Sequence, residues 1–290
     1  MQLAINIIIL ASIYALISCG YVLVYRVSRV LNLGHGELMM LGAYLLHTTA
    51  SLFGGHPVMA VTMAGVLGLM VGVLVYTLLM RRMTGEMVLA AVLCTIALGV
   101  MVRGAMTLIW SAQVRHPIET LGWTNVSISV YGDAKVSLIS LVLVVVTALI
   151  YAGLFTFLNF TRWGIRMRAA GQNPLLASQR GIQLHAVYAL AWGLATFTGG
   201  VAGMLISLDS GLDATMTILG LKAFPAALVG GLDSLAGALI GSLIVALAEV
   251  LMIQYVNPLL SDAAPFVVLL LVLVVRPWGL FGSKEELDRV

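Results

Sequence analysis

Apolar residues run along this chain in blocks of about 20, the length a helix needs to cross a bilayer. Residues 1–25 hold no charge and predict a first span, followed by Arg26 and Arg29. A second span is expected from Leu31 to Leu52, then a tight turn at Gly54-Gly55-His56-Pro57. A third runs from Val58 to Met80 and meets Arg81-Arg82; a fourth runs from Met87 to Ile109. A polar stretch from Ser111 to Lys135, with Arg115, Glu119 and Asp133, precedes a fifth span over Val136–Leu158. A second polar stretch, Asn159 to Gln183, carries Arg162, Arg166, Arg168 and Arg180 and leads to a sixth span, Leu184–Leu208. Beyond it the pattern loosens. Residues 214–232 are apolar but broken by Gly220, Lys222, Pro225, Gly230 and Gly231. Residues 235–256 form a cleaner helix holding Glu249, and 263–275 form a short last span closed by Arg276 and a polar tail. The pattern predicts an all-α polytopic bundle of eight or nine transmembrane helices with broken or re-entrant segments, in a single membrane domain over 1–290.

Arginine placement orients the bundle, since short cytoplasmic loops collect Lys and Arg. The loops after spans one, three and five hold two, two and four arginines; those after spans two and six hold none. The N-terminus is therefore expected outside and 159–183 inside. A tail that is also inside requires 214–232 to cross, giving nine spans; a re-entrant 214–232 gives eight and places Arg276 outside.

Composition narrows the function. Of 290 residues, 61% are hydrophobic and 9% charged, against about 25% charged in a soluble domain. The net charge of +3 comes from residues between apolar runs, and no basic, aromatic-rich platform exists for nucleic acid. Cys19 and Cys94 lie inside apolar runs and read as buried thiols rather than a disulfide. Leu16-Ile17-Ser18-Cys19 resembles a lipoprotein cleavage box, but no basic residue precedes it and the apolar run continues to Tyr25. No phosphate-binding loop, His-Glu-x-x-His or paired-cysteine spacing occurs, so no nucleotide site, metal or other cofactor is expected.

Polar groups inside apolar segments carry the candidate chemistry, because charges there are costly and usually face an interior or a cavity. Asn32-Leu33-Gly34-His35-Gly36-Glu37 interrupts the start of span two. One reading is a plain helix start capped by Asn32, with Glu37 near the positive end; the other is a broken helix along a translocation path. Gly220-Leu221-Lys222-Ala223-Phe224-Pro225 interrupts the second half in the same manner. Asn32, His35, Glu37, Lys222 and Phe224 are the candidate path residues. Glu37 and Lys222 offer opposite charges to the two ends of an amino acid, or else pair with each other. Arg103 and Glu249 are the deepest charges and candidates for a mutual buried pair. Gly199/Gly203 and Gly237/Gly241 have the spacing of close helix packing. In the inner stretch, Arg166 and Arg168 start an amphipathic piece, Gly171 and Pro174 break it, and Leu175 to Ser178 fit one or two helical turns.

Four stretches and the chain's end resemble the permease subunits of branched-chain (hydrophobic) amino acid ABC importers. Ser12 to Leu16 with Gly20-Tyr21 and Val24-Tyr25 is similar to that family's first span. Asn32 to Glu37 resembles its Asn-Phe-Ala-His-Gly-Glu motif, departing at Leu33 and Gly34. Arg166 to Ile182 resembles its coupling loop, and Leu221 to Gly231 with Gly237-Ala238, Gly241 and Glu249 its C-terminal signature. Arg276-Pro277-Trp278-Gly279-Leu280-Phe281-Gly282 matches its closing motif, while Asp233 stands where the family more often has Gly. The resemblance implies a non-enzymatic, multi-pass inner-membrane subunit working with a second homologous permease, two ABC ATPases and a periplasmic substrate-binding protein. It implies that Arg166, Arg168, Gly171, Asn173 and Gly181 belong to the ATPase-coupling loop. Urea, short amides or aromatic acids remain alternative substrates. From the residues alone, an ion-coupled secondary transporter stays open as a rival, resting only on Glu249 and Glu37 as intramembrane acids. A membrane-embedded enzyme would need a nucleophile or metal grouping that is not visible.

Overall fold

A computed structural model describes residues 1–282 apart from 55, 112, 132 and 133; Asp133, Lys284 and the polar tail fall outside the described residues. Two central helices, α1 (Gln2–Ser28) and α10 (Leu184–Ser210), are mostly buried. Around them lie α2 (His35–Leu52), α3 (Pro57–Val75), α5 (Val88–Trp110), α7 (Leu138–Phe160), α11 (Thr217–Gly230), α12 (Leu235–Tyr255) and α13 (Ala264–Val275). A π-helical turn (Tyr76–Met80) and α4 (Arg81–Met83) extend α3 through the predicted Arg81-Arg82 stop. Between α5 and α7 the chain forms the short α6 (Pro117–Thr120) and an antiparallel hairpin, β1 (Ser127–Tyr131) and β2 (Ala134–Ser137). The polar pattern gave no sign of that hairpin, because four or five paired residues carry no long-range periodicity. The inner polar stretch folds into α8 (Arg162–Gln172) and α9 (Pro174–Gln179).

Seven of these helices are long and apolar enough to cross a membrane. The 18-residue α2 and the shorter apolar stretch Ala214–Gly230 stand outside those seven, and α11 opens beside the first turn of α2, where Arg103 binds both Thr217 and Glu37. At one end, Arg29 pairs with Asp233 at 2.6 Å, and Leu280 and Phe281 donate backbone bonds to Val229 and Gly230. Leu280 and Phe281, past α13, thus join the end that holds Arg29. At the opposite end, Arg115 and Leu212 exchange backbone bonds and Ser137 donates to Asp209. At 1.5 Å per residue, α11 is only about 21 Å long, and the single 3-10 turn Ala214–Met216 leads into it.

Several predicted breaks behave differently. Gly220 and Pro225 lie inside an unbroken α11. Gly220 is a contact: a Cβ there would collide with Gly36 Cα of α2. Gly42 of α2 likewise rides on Gly200 of α10, and Gly203 lies against the Met39 backbone. Gly237 meets Gly230, and Gly241 meets the Ala226 carbonyl. These glycines let backbones approach where no hydrophobic driving force pulls helices together in lipid. Helix α1 packs on α10, α11, α12 and α7, while α2 is held between α10, α3, α5 and α11.

The start of α2 is where helix is lost. It begins at His35, not Leu31, and the backbone from 29 to 34 is non-helical. Asn32 does not cap it: Gly34 occupies the cap position without a side-chain bond. Unwound backbone inside a bilayer must find partners within the protein. Here Thr95 of α5, fully buried, accepts from Leu33 N at 3.1 Å and shares its one proton between Val92 O at 2.7 Å and Leu31 O at 3.3 Å.

Gly220→Ala should therefore cost about 1–3 kcal/mol, as overpacking does, read as a lower unfolding midpoint of the detergent-solubilised protein. Gly153→Ala on α7, where an added Cβ meets nothing within 4 Å, should leave the midpoint unchanged or raise it. Equal midpoints for the two variants would contradict the close approach of α2 and α11.

Candidate functional site

Two ion pairs are set into the spans, and they differ in exposure. In the first, Lys222 Nζ of α11 lies 2.7 Å from Glu249 Oε1 of α12. Both are buried, at 7% and 4% exposure. The Tyr14 hydroxyl of α1 donates to the other Glu249 oxygen at 2.5 Å. Lys222 also reaches Asp262 at 2.5 Å, in the exposed 3-10 turn Pro258–Ala263 before α13. One helical turn along α1, the Ser18 and Ser242 hydroxyls meet at 3.0 Å. This network ties α1, α11, α12 and the turn before α13 together and satisfies both buried charges.

In the second pair, Arg103 Nη2 of α5 binds Glu37 Oε1 at 2.8 Å and Thr217 Oγ1 at 2.8 Å. Glu37 sits in the first turn of α2 and Thr217 opens α11. The Glu37 carboxylate lies over Gly99, where a Cβ would stand 3.1 Å from Oε2. The side chain of Arg103 is 49% exposed, that of Glu37 16%. The pair opens onto a cavity of about 280 Å³ walled by Tyr21, Leu33, Gly36, Ile218 and Leu221. Both polar ends and apolar walls are present in one space.

The expected pairing of Arg103 with Glu249 is thus replaced by two separate pairs, each with a partner on a nearer helix. Lys222 is turned toward α12 and does not face Glu37. His35 is fully buried, its ring edge-on to Tyr21 with centroids 4.7 Å apart and pressed against Gly20 and Gly199. Phe224 packs on the other side of Tyr21 at 5.4 Å. Asn32 is buried, and its amide has no hydrogen-bond partner among the described residues. Tyr21 therefore joins His35 to Phe224, and its hydroxyl donates to Gly220 O at 3.1 Å. Sequence reasoning placed Tyr14 and Tyr21 in the first-span resemblance without giving either a role, and did not single out Thr217 or Asp262. An aromatic or hydroxyl residue within an apolar run carries no mark of which charge it will meet.

At the Arg29 end, α8 packs against α1, α7 and α10, and α9 follows it. Asn173 caps α9 by accepting from Leu176 N at 3.0 Å. Gly171 is not a helix breaker: it lies within α8, where a Cβ would strike the Arg26 carbonyl. Its own carbonyl accepts from Arg29 Nε at 3.2 Å. Arg168 donates to Asn159 at 2.9 Å, and Arg166 stacks on Trp163 at 5.1 Å. Gly181 takes φ +80°, a left-handed turn suited to glycine, before α10. Leu175 and Leu176 point outward, 68% and 56% exposed. Asp233 stands at this end with Arg29, away from the Glu37 cavity.

A polytopic helical bundle with ion pairs set into its spans, and an amphipathic helix pair at one end, is the build of a membrane transport component. The chain matches the family described as branched-chain amino acid transport system / permease component over residues 3–273, and it belongs to that family. It is 30% identical to the high-affinity branched-chain amino acid transport system permease protein LivH of Salmonella typhimurium, covering 98% of this chain and 96% of that one. It is 29% identical to the probable branched-chain amino acid transport permease protein LivH of Methanocaldococcus jannaschii, covering 95% and 90%. To the permease protein BraD of Pseudomonas aeruginosa it is 27% identical, covering 98% and 96%.

The buried pair makes a stability prediction. Removing one partner leaves an uncompensated charge, which costs about 3–5 kcal/mol. Lys222→Met should destabilise the purified protein by that order, and adding Glu249→Gln should recover most of the loss. A double variant no more stable than Lys222→Met, by unfolding in detergent, would contradict a mutually compensating pair.

Proposed function

We propose that this chain is a membrane-spanning permease subunit of an ATP-binding-cassette importer that moves branched-chain or other hydrophobic amino acids across the inner membrane. The observation that carries the reading is the family match over residues 3–273, joined by full-length relatives whose names specify branched-chain amino acid transport. A second homologous permease, two ATPase subunits and a periplasmic binding protein complete the complex. Hydrolysis of ATP belongs to the ATPase subunits.

The geometry supports this assignment at two places. Arg103 is half exposed well inside a span, where contact with lipid is costly. The face formed by α2, α5 and α11 is therefore covered by the second permease or by a water-filled path, and Glu37 and Arg103 line it. At the Arg29 end, α8 and α9 present Leu175, Leu176 and Trp163 outside the bundle. An ATPase groove is the fitting cover for them, and Arg166 and Arg168 flank it. Asn173 and Gly181 set the ends of α9, and Gly171 seats α8 on α1. Arginines cluster at this end in short loops, which supports a cytoplasmic side here and an N-terminus outside. An ion-coupled transporter is less well supported, since Glu37 and Glu249 are each committed to a base.

Two tests follow. Leu175→Asp with Leu176→Asp alters exposed side chains only, so insertion and folding should persist. Co-purification of the ATPase subunits and amino acid uptake should both fall at least about tenfold, the effect of about 1.4 kcal/mol at a contact; unchanged co-purification would remove α9 from the ATPase interface. With Cys19 and Cys94 replaced, a cysteine at position 172 should resist a membrane-impermeant maleimide added to intact cells and react once the membrane is opened. Labelling in intact cells would reverse the orientation.

A further inference from the structure

We infer that the Arg103–Glu37 pair is the point on the path where a passing amino acid exchanges its charged ends with the protein. This inference rests on the amino acid importer reading above and gives that path a chemistry. The pair is not saturated. Arg103 uses Nη2 for both of its bonds, to Glu37 and Thr217. Its Nε and Nη1 carry no hydrogen bond among the described residues, although a guanidinium offers five donors. Glu37 uses Oε1 toward Arg103, and its Oε2, beside Gly99, carries no hydrogen bond among the described residues. A cation with spare donors and an anion with a spare acceptor thus stand side by side at one cavity.

The ligand matched by that arrangement is a zwitterion. Its carboxylate takes the open edge of the Arg103 guanidinium, and its ammonium takes Glu37 Oε2. As it binds, it replaces part of the Arg103–Glu37 attraction with the same kind of bond, so total charge in the span stays zero and no ion is left bare. The gain on binding is small, which suits a group that must release its cargo quickly. The walls complete the fit. Leu33, Ile218, Leu221 and Tyr21 supply apolar surface for the side chain. The cavity, at about 280 Å³, lies just under the roughly 300–1,000 Å³ of drug-sized sites, a volume for a single small molecule. The Lys222–Glu249 pair is unsuited to this work, because it is buried, both Glu249 oxygens are bonded and two of the three Lys222 donors are already used.

The alternative role for Arg103 and Glu37 is a purely structural bridge between α2 and α5, and the two roles separate by experiment. Leucine uptake into liposomes and co-purification of the ATPase subunits are measured on the complete complex. The variants are Glu37→Gln, Arg103→Gln, Arg103→Lys and the double Glu37→Gln/Arg103→Gln. Uptake should fall at least about tenfold in both Gln variants, equivalent to about 1.4 kcal/mol, while the ATPase subunits still co-purify. Arg103→Lys keeps the charge but not the flat multi-donor edge, so it should assemble and still lose uptake. The double variant should stay as deficient as the single ones. Recovery of uptake in the double variant would overturn the inference, because a structural bridge is relieved when both charges go. Wild-type uptake in Arg103→Lys or in either Gln variant would overturn it as well. A wild-type complex that imports urea but no leucine would overturn the importer reading itself, and this inference with it.

Discussion

Backbone meeting backbone at glycine positions is the constraint on which the rest of this structure depends. In a bilayer, lipid tails solvate a leucine face as well as a neighbouring helix does, so close van der Waals contact and internal polar bonds must hold the helices. Gly36 on Gly220 and Gly42 on Gly200 bring α11, α2 and α10 together at distances no side chain allows. Those contacts put Glu37 at the mouth of α11, within reach of both Thr217 and the arginine of α5. The same approach leaves Leu31 to Gly34 unwound, and Thr95 supplies the bonds the helix would have made.

Among the described residues, the two ion pairs set into the spans differ in exposure. Lys222 and Glu249 are sealed by α1, α11 and α12, and Tyr14 completes the carboxylate. Such a pair adds little net stability but is expensive to break, so it fixes which way α11 faces. Arg103 and Glu37 stand open to a cavity with unused donors and acceptors. An open pair in a span needs a cover that is not lipid, which is why this face and not the apolar faces of α3 or α13 is read as the path.

The Arg29 end links these elements to α8. Arg29, in a left-handed conformation at the end of α1, donates to Gly171 of α8 and to Asp233 after α11. The tail adds Leu280 and Phe281 to the end of α11. A displacement of α8 therefore bears on α1 and α11 together, the two helices that carry Tyr14, Tyr21 and Lys222. These contacts form a continuous connection from α8 at the Arg29 end to the helices that wall the cavity.

Sequence alone determined that the chain crosses a membrane many times, where most spans lie, which loops gather arginine and which family it resembles. Those properties follow from local apolar length and from charge near span ends, and both can be read one segment at a time. Asn32 to Glu37 and the Gly220 region also stood out, since glycine and charge disturb an otherwise apolar pattern. What each does was decided by tertiary structure. Gly220 and Gly171 looked like breaks and are contacts within helices, because a missing side chain looks the same in sequence whether it frees a turn or admits a neighbour. Arg103 was matched with Glu249 on depth alone, yet it bonds Glu37, and Glu249 bonds Lys222. Which charges meet depends on helix rotation and crossing, set by packing between segments far apart in the chain, and no local pattern records it.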